Sequence, residues 1–246
     1  MSARRVLGTA RRVLVQLRAD PRTAAMLLVV PVVLLTLLRF VYDEAPQVFD
    51  RIGAPLLALF PLITMFLVTS VAMLRERTTG TLERLLTTPL SKGDLLAGYT
   101  LAFGLVAVVQ TVVASAVVLG PLGLDLPSSA GPVVLLAVAD ALLGTALGLL
   151  LSAFARSEFQ AVQFLPAVIL PQLLLCGLLA DRSRMSAPLQ LLSDLMPLSY
   201  AVDGMQRLSA APTGLDGRVG IDLAVVLGVA AVAVVLGAAT LQRRTP

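Results

Sequence analysis

The sequence contains no histidine, no tryptophan and a single cysteine, Cys176, which lies inside an apolar run. Without histidine the chain cannot form a Ser-His-Asp triad, an HExxH zinc site or an imidazole proton relay. One cysteine allows neither an intrachain disulfide nor a thiolate metal cluster. No GxxxxGK[ST] loop occurs, so the chain lacks the motif by which P-loop proteins bind ATP. We therefore expect no catalytic residues, no metal and no cofactor bound by this chain.

Charge is also scarce: 14% of the 246 residues are charged and 57% are hydrophobic, with a mean hydropathy of +0.91. An ordinary globular domain has about a quarter of its residues charged. The apolar residues fall in blocks of about twenty, which is the length that a helix needs to cross a bilayer. The composition therefore predicts an all-α, polytopic membrane protein.

The first 22 residues carry six arginines, with apolar residues between them at helical spacing. This pattern predicts a basic amphipathic helix that lies in the headgroup layer. A nucleic-acid-binding arm is the weaker interpretation, because the apolar face continues directly into the first span. The six predicted spans belong to a single transmembrane domain over residues 1–246. They cover residues 23–42, 55–74, 95–119, 132–154, 159–180 and 223–241.

Positive charge is distributed unevenly over the predicted loops. Thirteen of the 19 Lys and Arg residues lie in the N-terminal stretch, in the segment after the second span, in the turn after the fourth span, or near the C-terminus. Cytoplasmic loops carry an excess of Lys and Arg. We therefore expect both termini and the segment 75–94 to be cytoplasmic.

The segment 181–222 is too long and too apolar for a plain loop. Apolar residues on both sides of Pro197 predict two short external helices that break there. These helices would lie at the outer interface or dip into the membrane as a re-entrant segment. A surface loop without helices is the alternative.

The charged segment 75–94 separates the second and third spans, and we call it the elbow. After Gly80, residues 81–88 can form a short helix with an apolar face. That face consists of Leu82, Leu85 and Leu86. Pro89 ends the helix, because the residue before a proline is disfavoured in the α region. The elbow therefore predicts an amphipathic helix across the mouth of a helical hairpin, with an apolar ridge available to a partner.

Ser91 is followed three residues later by Asp94, which is the spacing of a capping box. In such a box the two side chains satisfy free backbone N–H groups at a helix start. We therefore expect the third membrane helix to begin near Lys92.

A spaced set of elbow residues supports a family resemblance: Glu76, Gly80-Thr81, Glu83, Leu85-Leu86, Pro89, and Ser91-Lys92 with Asp94. This set resembles the coupling-helix signature of type-2 ATP-binding-cassette (ABC) permeases. The six-span layout is similar to that family over the whole chain. Members of the family are membrane subunits of exporters for drugs, lipids and polysaccharides.

The resemblance implies a working unit of two permease chains, identical or related, with two cytoplasmic ATPase subunits that bind ATP and Mg. ATP binding would close the ATPase pair, and the coupling helix, seated in a groove on the ATPase, would transmit the movement. The residues implied in this contact are Glu76, Glu83 and Arg84 as polar partners, Leu82, Leu85 and Leu86 as groove-filling side chains, Thr81 at the start of the helix, and Gly80 and Pro89 as shape-setting residues.

Four polar side chains inside the predicted spans are candidates to line a substrate pathway: Gln110, Asp140, Gln163 and Gln172. A lone carboxylate is costly to bury in hydrocarbon, so we expect Asp140 to be neutral, paired or facing a polar cavity. Arg39, near the outer end of the first span, is its candidate partner. The two glutamines of the fifth span accompany Pro166 and Pro171, which free backbone carbonyls. A kink satisfied by neighbouring helices is the alternative to a pathway there.

Gly144 and Gly148 have the spacing that allows two membrane helices to approach closely. The sequence does not distinguish packing within one subunit from packing at a dimer seam.

The sequence thus predicts the permease subunit of a bacterial ABC exporter in the inner membrane, with lipid around it and no nucleic acid bound. The scarcity of aromatic residues, at 4%, favours a lipophilic or amphiphilic cargo over a sugar chain. Two alternatives stay open. One is a proton-coupled secondary transporter in which Asp140 titrates, and the other is a non-transporting membrane scaffold or immunity protein.

Overall fold

The computed structural model of the chain describes residues 2–79, 91–212, 214–215 and 217–240. These residues form nine α-helices and one 3₁₀ turn, with no strand among them. The helices are α1 (Ala3–Ala19), α2 (Pro21–Val41), α3 (Pro46–Thr78), α4 (Lys92–Leu119), α5 (Ala130–Leu151), α6 (Glu158–Leu175), α7 (Ala187–Asp194), α8 (Pro197–Ala210) and α9 (Gly217–Thr240).

Six helices in the described part of the chain are long and apolar enough to cross a membrane: α2, α3, α4, α5, α6 and α9. The predicted all-α, six-helix class is therefore confirmed. Helices α3 and α5 are the most buried of the six and form the centre of the bundle, whereas α2, α6 and α9 lie at its periphery.

The amphipathic helix predicted at the N-terminus is α1, and its apolar side packs on α4 through Ala10 and Val13. It ends at Ala19, and α2 begins two residues later at Pro21. Proline is favoured at the first position of a helix, and the Asp20 side chain caps α2 by accepting from the Thr23 N–H. The junction between α1 and α2 is therefore fixed by local sequence.

Helix α3 begins at Pro46, nine residues before the start predicted for the second span. Asp50 and Arg51 give this stretch the composition of a loop. In the structure they lie near an amphipathic helix start, where Phe49 is fully buried. The predicted span 55–74 lies within this helix, which extends further because the polar face of its first turns lowers the averaged hydropathy.

Helix α4 begins at Lys92, as predicted, and the capping box before it is present. The Ser91 hydroxyl accepts from the Asp94 N–H at 3.0 Å, and Asp94 accepts from the Ser91 N–H at 3.4 Å. The elbow residues 80–90 lie outside the described residues, so the coupling helix predicted at 81–88 stays a prediction.

The two glycines of α5 lie against the backbone of α3. A Cβ atom at Gly144 would come within 2.3 Å of the Leu62 carbonyl oxygen, and one at Gly148 within 2.6 Å of the Phe66 carbonyl oxygen. The close approach predicted for this pair therefore occurs within one subunit, at the centre of the bundle.

Helix α6 ends at Leu175, five residues before the predicted end of the fifth span. Gly177 follows with a φ of +92°, a conformation that residues with a side chain rarely adopt. The predicted span reaches residue 180 because the apolar run continues past the turn that ends the helix.

The segment after α6 contains the two short helices predicted on either side of Pro197, which are α7 and α8. Helix α8 contacts α3, α5 and α9 and buries its apolar face completely. That face consists of Leu198, Ala201, Val202, Met205 and Leu208. Arg182 binds Asp194 of α7 and Asp203 of α8, so ionic contacts join the two helices to the chain that precedes them. The loop without helices is therefore excluded for this segment.

Candidate functional site

The last turn of α3, which leads into the elbow, is bound to α1 by a group that we call the α1 clamp: Arg12, Glu76 and Tyr99. The Arg12 Nη1 lies 3.0 Å from the Glu76 Oε1. Arg12 Nη2 also donates to the Tyr99 hydroxyl, and the guanidinium lies 5.6 Å from the centre of the Tyr99 ring. The Glu76 side chain is only 12% exposed. Hydrogen bonds between charged groups that are largely shielded from water contribute more than surface pairs do.

The start of α4, on the other side of the elbow, is also bound to α1. The Ser2 N–H donates to Asp94 Oδ1 at 3.0 Å, and the Arg5 guanidinium lies 3.9 Å from Asp94 Oδ2. Asp94 thus closes the capping box and at the same time holds the N-terminal turn of α1. Both ends of the elbow are therefore attached to the same amphipathic helix.

Two further contacts join the end of α3 to the turn between α5 and α6. Arg75 donates to both oxygens of Glu158 in α6, at 2.7 and 3.1 Å. Arg77 donates to the Ser152 carbonyl oxygen at the end of α5, at 3.5 Å. The contacts attach both described ends of the elbow to α1, and its first end also to the end of α5 and the start of α6.

The structure describes one of the nine residues predicted to contact an ATPase, Glu76, and it places that carboxylate under Arg12. A contact between Glu76 and an ATPase stays a prediction. The other eight lie outside the described residues: Gly80, Thr81, Leu82, Glu83, Arg84, Leu85, Leu86 and Pro89.

The structure does not bring the candidate pathway glutamines together. Gln110 of α4 is buried and donates to the Thr64 hydroxyl of α3. Gln172 of α6 is 7% exposed, donates to the Val168 carbonyl and accepts from the Leu198 N–H of α8 at 3.4 Å. Both side chains hold helices together inside the subunit. Their role in a pathway stays a prediction.

Gln163 has a different environment, because it lies on the exposed face of α6. Large apolar side chains share that face, among them Val162, Leu170 and Leu174. A side-chain amide is costly to leave unpaired in lipid. Of the four candidate pathway residues, Gln163 is the one whose side chain is exposed at the surface of the described chain.

Asp140 is completely buried in the middle of α5, and neither carboxylate oxygen has a hydrogen-bond partner among the described residues. The pairing predicted with Arg39 was wrong. Arg39 instead donates to Asp43 and to the Leu122 carbonyl oxygen, both at 3.2 Å. Asp43 lies two residues beyond the end of α2, only four positions from Arg39, and this nearby carboxylate binds Arg39 in place of a partner on another helix.

Two features of the structure were not predicted from the sequence. Asp222 lies inside α9 and is 1% exposed, with its Oδ2 3.8 Å from Arg207 of α8. The α1 clamp was also missed, although Arg5 and Arg12 recur seven residues apart on one side of α1. Among the described residues, no group of three or more Cys, Asp or Glu side chains is placed to hold a metal ion.

Comparison with known proteins gives the family. The model of the ABC-2 type transporter family matches residues 6–208, which is most of the chain. The chain is 29% identical over 151 residues to a protein described as probable multidrug ABC transporter permease YbhS, from Escherichia coli K12. It is 28% identical over 164 residues to the probable multidrug ABC transporter permease YbhR of the same strain.

These alignments cover 59% and 65% of this chain, and 39% and 44% of the two relatives. A eukaryotic relative, ABC transporter G family member 20 of Dictyostelium discoideum, is 25% identical over 148 residues, which is 60% of this chain and 20% of that protein. The chain thus spans less than half the length of the relatives that it matches. The family match and the six apolar helices together show that this chain is a multi-pass membrane protein that belongs to the ABC-2 type transporter family, as a permease.

Proposed function

We propose that the chain is the transmembrane subunit of an ATP-driven exporter, working as a pair of permease chains with two separate ATPase subunits. The observation that carries the proposal is the attachment of both ends of the elbow to α1 and of its first end to α5 and α6. A segment that transmits force from a partner must be attached to the helices that it displaces. The two ends of the elbow are attached to helices in this way.

The proposed direction of force is from the ATPase to the elbow, and from there to α3 and α4. Residues 81–88 would seat in a groove on the ATPase, and closure of the ATPase pair would displace the ends of α3 and α4 together with α1. ATP and Mg would be bound by the ATPase. The excess of positive charge around the elbow supports its proposed cytoplasmic location in a bacterial inner membrane.

The proposed cargo is lipophilic or amphiphilic. The names of the two bacterial relatives describe them as probable multidrug permeases. The low aromatic content of this chain supports the same cargo class over a sugar chain. The exposed face of α6 that carries Gln163 is our candidate for the side of the subunit that meets the cargo.

The test is co-purification from the native host. We expect an ATPase subunit to remain with the chain in equal amount, and its hydrolysis to depend on the elbow. Glu83→Lys should leave the chain inserted and folded while it releases or uncouples the ATPase. Arg156→Glu, in the turn between α5 and α6, is the matched charge-reversal control, and it should retain the ATPase. A chain that purifies without an ATPase would contradict the proposal.

A second candidate is a proton-coupled transporter, favoured by one observation: Asp140 is buried in α5 without a hydrogen-bond partner among the described residues. A carboxyl group in that position is a candidate for proton transfer. This candidate needs Asp140→Asn to abolish transport, whereas the exporter needs only that the packing around α5 be preserved.

A further inference from the structure

A cavity of about 540 Å³ lies between α1, α2, α3 and α4, inside one subunit. Its lining on α3 extends from Leu67 to Thr79. Twelve residue steps of 1.5 Å give it a length of about 18 Å along that helix. Small-molecule sites in proteins are typically about 300 to 1,000 Å³ and mostly apolar. The cavity therefore has room for one amphiphilic molecule.

The two ends of the cavity differ in polarity. Its apolar end is lined by aliphatic and aromatic side chains, including Leu17, Met26, Val68, Val71 and Phe103. Its polar end, near the elbow, is lined by Gln16, Asp20, Thr23, Arg75 and Glu76. This second group lies where the apolar run of α3 gives way to charge, which is the depth of the headgroup layer. An occupant should have an aliphatic body and a polar head.

The charges at the polar end of the cavity determine which head group fits. Arg75 is paired with Glu158, and Glu76 is paired with Arg12. Asp20 accepts hydrogen bonds from the Thr23 N–H and hydroxyl, at 3.3 and 2.6 Å, and the cation that acts on it through space, Arg75, is bound directly by Glu158. These bonds, the hydroxyl first, hold the pKa of the Asp20 carboxyl below its ordinary value, so it is ionised at neutral pH. The lining therefore carries one negative charge in excess.

We propose that this cavity binds one cationic amphiphile, with its aliphatic chain between α3 and α4 and its ammonium group at Asp20. The site is formed by one chain alone, and its lining residues lie on or next to α1, α2, α3 and α4 and not on α6. The inference does not depend on an ATPase. Binding can be measured without nucleotide, so its failure and the failure of the proposed exporter are distinguishable.

The absence of tryptophan from the chain makes a direct test possible. Met26→Trp places a single indole at the wall of the cavity, on a side chain that is 66% exposed in the native chain. Leu37→Trp places one on α2 at 56% exposure, outside the cavity lining and about 16 Å further along the helix. Each variant of the full chain is reconstituted in nanodiscs of zwitterionic lipid and titrated with a long-chain alkylamine that carries bromine on its chain, which quenches indole fluorescence.

We expect saturable quenching in Met26→Trp and only the gradual quenching of membrane partition in Leu37→Trp. A brominated alcohol of equal chain length should give the gradual response in both variants. Asp20→Asn in the Met26→Trp background should raise the half-saturating amine concentration about fivefold, because the ammonium group loses its charged partner. Asparagine is as good a helix cap as aspartate, so this variant keeps α2 intact.

Three outcomes would overturn the proposal. The first is equal quenching in the two tryptophan variants, which would place the amine in the bilayer alone. The second is a saturable response to the alcohol, which would make the cavity a general lipid site. The third is an unchanged half-saturating amine concentration in Asp20→Asn, which would show that the ammonium group does not bind at Asp20.

Discussion

The ion pairs at the two ends of the bundle differ in range. At the elbow end, Arg12–Glu76, Arg5–Asp94 and Arg75–Glu158 join residues that are 64, 89 and 83 positions apart. At the opposite end, Arg182 binds Asp194 and Asp203, which are 12 and 21 positions away. The one long-range ion pair there among the described residues is Arg51–Asp181, at 4.0 Å between exposed side chains. The other long-range polar contacts at that end involve a backbone group: Arg39–Leu122, Asp50–Asp125 and Ser128–Leu208.

Contacts between distant parts of the chain make the elbow end one mechanical unit, because α1, α3, α4 and α6 cannot separate there without breaking an ion pair. At the opposite end, ion pairs between near neighbours hold α7 and α8 as a local cap. The proposed mechanism, in which the permease receives force at the elbow, requires this difference. The predictions below test it, from the largest expected effect to the smallest.

Gly144→Leu should have the largest effect, because it disrupts the contact between α3 and α5 at the centre of the bundle, on which both ends depend. The new side chain would meet the Leu62 carbonyl of α3, where even a Cβ atom would lie at 2.3 Å. We expect a loss of more than about 3 kcal/mol in the free energy of unfolding, measured by thermal unfolding in detergent. Gly131→Leu, in the same helix with no heavy atom within 4 Å of its Cβ position, is the control and should keep its melting temperature.

Glu76→Gln should loosen the whole elbow end. It leaves Arg12, which is only 28% exposed, without its carboxylate. We expect a loss of about 1 to 3 kcal/mol, with faster hydrogen exchange in α1 and at the facing ends of α3 and α4 together.

The matched control for Glu76→Gln is Glu158→Gln, which breaks an ion pair whose side chains are 59% and 52% exposed. It should cost less than about 1 kcal/mol. Equal effects of the two substitutions, or faster exchange confined to α3, would show that the α1 clamp does not join the helices.

Arg182→Met should loosen only the cap of α7 and α8. Removing the guanidinium leaves Asp194 and Asp203 without their shared partner. We expect a loss of about 1 kcal/mol and faster hydrogen exchange in residues 187–210, with exchange at the elbow end unchanged. Faster exchange that spreads to α1 would remove the distinction between the two ends.

The smallest expected effect is that of pH on the α1–α2 junction. Hydrogen bonds from Thr23 lower the pKa of Asp20 in the folded chain. The stabilisation of the α2 cap is therefore present above the unfolded pKa of about 3.9 and is lost as the pH falls through the folded value. We therefore compare hydrogen exchange in the first turn of α2 with the rate of an unstructured chain at the same pH. This relative rate should rise below about pH 4 in the native chain. In Asp20→Asn the relative rate should not change with the titration of a carboxyl group.

The features that were predictable from the sequence are those encoded by neighbouring residues. Ser91 and Asp94 are three residues apart, and they form the predicted capping box at the start of α4. Gly144 and Gly148 are four apart, and they form the predicted close contact. Each pair forms a local pattern that is typical of one structural feature, so the sequence alone was enough to predict that feature.

The features that were missed depend on tertiary placement. The contact of Glu76 with Arg12 was not predicted, because it joins residues 64 positions apart. Arg39 was paired with Asp140 because both are rare charges in apolar runs, and the nearer Asp43 binds it instead. Asp50 and Arg51 gave no indication that α3 begins at Pro46, and the apolar run beyond Leu175 gave no indication that α6 ends there. Composition does not show which face of a helix a charge occupies.

The most direct test of the central claim is transport of a fluorescent lipophilic dye into inside-out vesicles that contain the native chain and its ATPase. The account predicts accumulation that requires ATP, continues when a protonophore collapses the proton gradient, and is lost in Gly80→Pro although the protein is inserted. Accumulation that survives ATP depletion, stops with the proton gradient and persists in Gly80→Pro would contradict it.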